Sequence, residues 1–281
     1  IKNKDKKIVQ YEETGQNLPS NILCKPEEDS ELYKLYEQYD KELSDLQLEV
    51  YKNQGINELE NFAVQPRSED IQDLIDDVKN KINESTTSSE INDLVNEYKD
   101  KILNQKKDEV ENELESYVSE PRSEAIEHLL DEAQSAIENA TTPEVLNDVL
   151  DQYKDFLLEQ LKNESKVLIE SYIPRPHSSV IEDIIRSGSL NIDASTNPTD
   201  LFTTLSQTTN QLTENFKDEL TQSIVSQKDS TTSSKVNEFV DQATELIELS
   251  TTPSSAKEIY DEYLNKISNQ KILDNALKAF E

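Results

Sequence analysis

The sequence predicts an all-α chain, an elongated tandem array of three-helix bundles joined by shared continuous helices. Three observations predict it. First, Pro66-Arg67-Ser68, Pro121-Arg122-Ser123, Pro176-His177-Ser178 and Thr231-Thr232-Ser233 begin at 66, 121, 176 and 231, so successive starts differ by 55. Second, a Thr-rich corner follows at one fixed offset, as Thr86-Thr87-Ser88, Thr141-Thr142-Pro143, Thr196-Asn197-Pro198 and Thr251-Thr252-Pro253. Third, apolar residues between the corners recur at steps of three and four, the spacing of one helix face. A fixed period of this length, undisturbed by insertion, marks a tandem array of supersecondary units.

In chain order, residues 1–31 read as an extended or disordered arm, rich in Lys, Asp, Glu and Asn and broken by Gly15, Pro19 and Pro26. Leu32, Tyr36, Tyr39, Leu43, Leu46 and Val50 then step by 4, 3, 4, 3, 4, a heptad-like stripe. The helix extends to about Ala63, with Gly55 weakening its middle. Pro66 ends it, because proline disfavours helical geometry in the residue before it. Ser68 is a good N-cap for the next helix, with Glu69 and Asp70 in the favourable first turn.

That short helix, about 17 residues and about 25 Å long, carries Ile71, Leu74, Ile75, Val78 and Ile82. Its copies carry Ile126, Leu129, Leu130, Ala133, Ile137; Ile181, Ile184, Ile185, Gly188, Ile192; and Val236, Phe239, Val240, Ala243, Ile247. The stripe persists while the polar residues drift, as a buried face does when the outer face is free. Gly188 aligns with small residues and predicts a close helix approach. Thr87 and Glu90 predict a capping box, and the Thr142-Pro143, Asn197-Pro198 and Thr252-Pro253 pairs place a cap before proline at the first helical position. No Pro or Gly interrupts residues 144–173, so one helix about 45 Å long serves two neighbouring units.

The expected organisation is an arm (1–31), an orphan half-helix of a preceding bundle (32–49), bundles at 50–103, 104–158, 159–213 and 214–269, and the start of a further helix (270–281) led by Ile272, Leu273, Leu277 and Phe280. Four copies advance by about 20 Å each and predict a rod on the order of 80–100 Å. Both ends read as unfinished, so the chain is expected to be a piece of a longer array.

Charge narrows the functions. With 28 Lys+Arg against 59 Asp+Glu the net charge is −31, which repels phosphate backbones and argues against nucleic acid as a partner. No apolar run is long enough to span a membrane, so direct membrane insertion by this chain is not expected. Cys24 is the only cysteine and reads as a free thiol. His128 and His177 fall at non-equivalent offsets with no His or Cys partner nearby, which predicts solvent-facing side chains and no metal site. The many carboxylate pairs lack calcium-loop spacing, and no nucleophile elbow, phosphate loop or Cys/His dyad is present. Neither catalytic, cofactor nor metal residues are expected. Tyr98, Tyr153 and Tyr263 are equivalent, as are Phe62, Tyr117 and Tyr172; core packing is favoured over an aromatic binding ladder.

The three-helix unit with its Thr141-Thr142-Pro143-Glu144 corner resembles, over roughly residues 32–281, the tandem helical repeats of bacterial cell-surface adhesins. These include the wall-anchored matrix-binding proteins of Gram-positive bacteria and the adherence lipoproteins of mycoplasmas. The resemblance implies extracellular display on a bacterial surface and non-enzymatic binding of host cells or matrix proteins. An intracellular spectrin-like scaffolding rod is the alternative, since uninterrupted inter-bundle helices suit it equally. The candidate partner-binding stripe is Leu32, Tyr36, Tyr39, Leu43, Leu46 and Val50. Three covers are open to it: fold-back of the arm, which is favoured, self-association with a second molecule, or a preceding bundle of the parent chain.

Overall fold

A computed structural model describes residues 31–228 and 232–279. The expected arm therefore lies outside the described residues up to residue 30, as do Cys24, Thr231 and Phe280. Among the described residues all the regular structure is helical. The elements are α1 (Glu31–Phe62), α2 (Glu69–Glu84), α3 (Ser88–Tyr117), α4 (Glu124–Asn139), α5 (Pro143–Tyr172), α6 (Ser179–Ala194), α7 (Pro198–Val225), α8 (Ser234–Leu249) and α9 (Pro253–Lys278). The chain divides into two compact units. One holds the described residues up to Lys106 with Thr141–Pro143; the other holds Lys107–Ala140 and the described residues from Glu144 onward.

The four short helices, α2, α4, α6 and α8, are each 16 residues long because the same serine starts each of them. Ser68, Ser123, Ser178 and Ser233 sit in extended geometry, and their hydroxyls accept from the backbone N–H of Ile71, Ile126, Ile181 and Val236 at 3.1–3.3 Å. That satisfies one of the orphan donors of a helix start. The Thr corners start the long helices in the same local way. Thr87 and Glu90 exchange the two bonds of a capping box. Asn197 caps Asp200 N–H at 3.0 Å, and Thr252 with Ser255 forms a second capping box.

The first unit packs α1, α2 and α3 around Leu59, Ala63, Ile71, Ile75, Val78, Ile82, Ile91, Val95, Tyr98 and Ile102, all buried. Burying a side chain of this size stabilises by about 1.5–3 kcal/mol relative to leaving it in water, which keeps these positions apolar while their neighbours drift. Helix α1 runs unbroken through Gly55. The glycine is buried where α1 meets α3, and an added Cβ would stand 3.0 Å from Ile91 Cγ2 and 3.1 Å from Val95 Cγ2.

The second unit repeats the pattern. Ile126, Leu130, Ala133 and Ile137 of α4 are buried, and so are Val236, Val240, Ala243 and Ile247 of α8. Helices α7, α8 and α9 each touch the other two. Gly188 on α6 faces Thr208 on α7 so closely that a Cβ would fall inside van der Waals contact of the threonine methyl. Thr208 stands where the other copies carry Tyr98, Tyr153 and Tyr263. This pair of small residues lets α6 and α7 approach.

The carbonyl ends of the helices are closed by side chains that return from a distance. Lys52, Lys107, Lys162 and Lys217, again 55 apart, donate to the carbonyls of Asn83, Glu138, Asp193 and Glu248 at 2.5–3.0 Å. Each acceptor is the penultimate residue of a short helix, where an unpaired carbonyl and the negative end of the dipole favour a cation. The long helices end on the residue after the proline. Arg122 donates to the carbonyls of Val118 (3.0 Å) and Glu115 (2.5 Å), and Arg67 makes the same two bonds to Ala63 and Glu60. His177 makes one, from Nε2 to the Ile173 carbonyl at 2.9 Å. It is half-buried rather than solvent-facing, because it holds the capping position of the arginines. The preceding Gln65–Pro66, Glu120–Pro121 and Arg175–Pro176 bonds are cis.

Candidate functional site

The apolar stripe of α1 is the largest run of exposed apolar side chains among the described residues. Its members come from one helix face, so no loop or turn is needed to align them. Leu32 is 65% exposed, Tyr39 63%, Leu43 57%, Leu46 60% and Val50 54%, while Tyr36 is half-buried. Leu35, 47% exposed, flanks the seam and was not foreseen as part of it, while Tyr51, exposed to the same degree, lies about 100° round the helix from the seam and outside it. Contiguous apolar surface of this kind is where soluble proteins take partners.

The stripe and the bundle core lie on opposite faces of α1. At 100° per residue the stripe centres about 180° from the face of Lys52, Gly55 and Leu59 that packs on α2 and α3. A partner on the stripe therefore does not have to displace either helix. The charges beside the seam are acidic, Asp40, Glu42 and Glu49, while Lys34, Lys41 and Lys52 lie on the opposite side of the helix. Gln38 bonds Glu42 at 2.8 Å across one turn, and a hydrogen bond donated to the Glu37 carboxylate raises the Tyr33 phenol above its ordinary value. What such a face offers is apolar contact and helix pairing, not bond chemistry.

A second feature sits in the third copy. A concavity of about 470 Å³ is lined by Glu170, Arg175, His177, Glu182, Arg186 and Leu190, among others. The chain holds four arginines, and Arg67 and Arg122 close helix ends. The other two meet here, Arg186 standing where the sister copies carry Asp76, Asp131 and Asp241. Their charge is matched by Glu170 and Glu182 on the same wall, and Arg186 already pairs with Asp183 at 2.5 Å. The site is thus close to neutral and offers no net field for an anion. Sequence reasoning missed this site; the signal that could have found it is the scarcity of arginine.

The aromatic positions go into the scaffold. Tyr98 is 1% exposed, its hydroxyl donating to Asp77 and accepting from Lys81 at 2.5 Å. A hydrogen bond from Lys81 to Asp77 at 2.8 Å, and after it the one from Tyr98, holds the Asp77 carboxyl below the usual range. Lys99 lies over Phe62 and Lys154 over Tyr117, each 5.6 Å from the ring centre, while Tyr263 is buried edge-on to Phe239. His128 is exposed beside Glu132 at 3.4 Å. Among the described residues no group of three or more His, Cys, Asp or Glu is placed to hold a metal ion, and no helix is long and apolar enough to cross a membrane. Comparison with known protein families, curated protein sequences and solved structures gives no match.

Proposed function

We propose that this chain is a repeat segment of a non-enzymatic bacterial surface protein, an adhesin or stalk displayed outside the cell that binds host cells or host matrix proteins. One observation carries the reading. Across the copies the buried stripe, the capping serine and the clamping lysine recur at intervals of 55, while the outward residues differ from copy to copy. A scaffold held constant under a changing surface suits a protein whose work is reach and contact. Protein binding is also favoured by the exposed seam on α1, and a charge of −31 argues against nucleic acid or anionic lipid. The bundles serve as spacers in this reading, with α3 and α5 continuing from one 55-residue unit into the next.

Those same uninterrupted helices favour a second reading, an intracellular scaffolding rod of the spectrin kind. One experiment separates the two. Antibodies raised against the chain should stain intact, unpermeabilised cells of the source organism if it is displayed. Staining that appears only after permeabilisation would replace the adhesin reading with the scaffold. The labelled chain is also expected to bind host cells or immobilised matrix proteins in a saturable way. That binding should persist at 1 M salt, where the Debye length is about 3 Å.

A further inference from the structure

We infer that the stripe of α1 is the seam of a parallel two-stranded coiled coil, and that its occupant is a second copy of this chain. This names the partner of the stripe and rests on its being a partner site; it does not depend on display at a cell surface. The first argument is phase. Residues 33–62 correspond by the 55-residue period to α3, and the same slots recur in α5, α7 and α9, four later helices in all. The slot of Gln47 is held by Ile102, Leu157, Leu212 and Ile267, all fully buried, and the slot of Asp40 by Val95, Leu150, Leu205 and Tyr260. Conversely, Val50 stands where the copies carry Gln105, Gln160, Asn215 and Gln270, and Leu46 where three of the four copies carry Lys101, Gln211 and Lys266. Tyr36 and Leu43 keep slots that the copies bury, those of Ile91, Leu146, Leu201 and Ala256 and of Tyr98, Thr208 and Tyr263, so the seam is turned only part of the way round the helix. A pair of helices set as in the later copies would nevertheless bury Asp40 and Gln47 and leave Leu46 and Val50 bare, so it is not a fitting cover for this seam.

The second argument is what the seam does match. Leu32, Tyr39 and Leu46 fall at d, and Tyr36, Leu43 and Val50 at a, of consecutive heptads. Leucine at two d positions with β-branched Val50 closing the a series suits two strands. Orientation follows from the flanking charges. A parallel pair in register sets Leu35 beside Asp40 of the other copy, Glu42 beside Gln47 and Glu49 beside Gln54, with no like charges opposed. An antiparallel pair that overlays the same seam sets Asp40 against Asp40 and Glu42 against Glu42, which is unfavourable. Because the seam points away from α2 and α3, two copies can meet along α1 without either losing its bundle.

Sedimentation of the full chain over a concentration series up to about 1 mM tests the inference. The expected result is a reversible monomer–dimer equilibrium. Leu43→Asp should weaken it about 100-fold or more, by burying an unpaired carboxylate in the seam. Tyr51→Ser, off the seam, should leave it unchanged, and both variants should keep the helicity of the parent because the bundle core is untouched. In a Cys24→Ser background, Leu43→Cys should oxidise to a 43–43 disulfide dimer. A full chain that stays monomeric throughout overturns the inference. So does dimerisation that appears only after removal of residues 1–30, since that segment would then be the occupant. Disulfide formation only between Tyr39→Cys and Leu43→Cys chains overturns the parallel arrangement.

Discussion

Lys107 reaches 31 residues forward to the Glu138 carbonyl at 2.8 Å, and its three counterparts do the same. Such a bond joins a cation to the negative end of a helix dipole, so Lys107→Met should destabilise by about 1 kcal/mol. The control Lys41→Met makes the same change of net charge at an exposed site and should shift the urea midpoint far less. Gly188 gives a sharper case. Alanine is the better helix former by about 1 kcal/mol, yet its Cβ would meet the Thr208 methyl. Overpacking costs about 1–3 kcal/mol, so Gly188→Ala should lower the melting temperature, and adding Thr208→Ala should restore it. Failure of the second change to rescue the first would show that α6 and α7 do not meet there. The close approach was legible in the sequence, because Gly188 aligns with Val78, Ala133 and Ala243. The lysine clamp was not, because a residue 31 positions away leaves no local pattern. The arginine caps were hidden differently: Arg67 and Arg122 looked like part of the turn that follows the helix, whereas their side chains fold back across it.

Elements were the most legible level, because caps and stripes act within a few residues. Ser123 shows how much one cap residue does: its hydroxyl accepts from Ile126 N–H at 3.2 Å and donates to Glu164 of α5 at 2.5 Å. Ser123→Ala should cost about 1 kcal/mol, and Ser123→Gly less. The end of α7 was less legible. It stops at Val225, two residues before the positions matching Phe62, Tyr117 and Tyr172, where the fourth copy lacks the proline and the capping arginine. Long α5 supplies the element-scale prediction. Its 30 residues run without a break from Pro143 to Tyr172, so Glu159→Pro should cost about 3 kcal/mol or more by removing a hydrogen bond and clashing with the preceding turn. Proline at Asn17, outside the described helices, should cost little. Equal melting shifts from the two would mean that α5 is not one cooperative helix. For the seam on α1, the heptad spacing was visible from the start, but the 180° offset from the bundle face emerged only when α2 and α3 were seen on α1.

At the scale of the whole molecule, 59 acids against 28 bases leave a self-repulsion that works against every compact unit. Salt should therefore raise the melting temperature between about 0.01 M and 0.5 M, as the Debye length falls from about 30 Å to a few ångström. A fall over that range would mean that ion pairs, not repulsion, dominate. The pH dependence isolates those pairs. A hydrogen bond from Lys79, at 2.6 Å, holds the Glu60 carboxyl below its ordinary value, and the same bond raises Lys79. A carboxyl lowered by folding contributes stability that is complete above its unfolded pKa, about 4.3, and is lost as pH falls through the folded value; the raised lysine contributes below about 10.4 and loses it as pH rises through its own. The pair is half-exposed, so its worth is about 0.5 kcal/mol. Lys79→Met should thus lower stability by a near-constant amount between about pH 5 and 10, and the difference from the parent should close toward pH 3. A gap that stays open at pH 3 would show that Lys79 acts through its apolar stem rather than its charge.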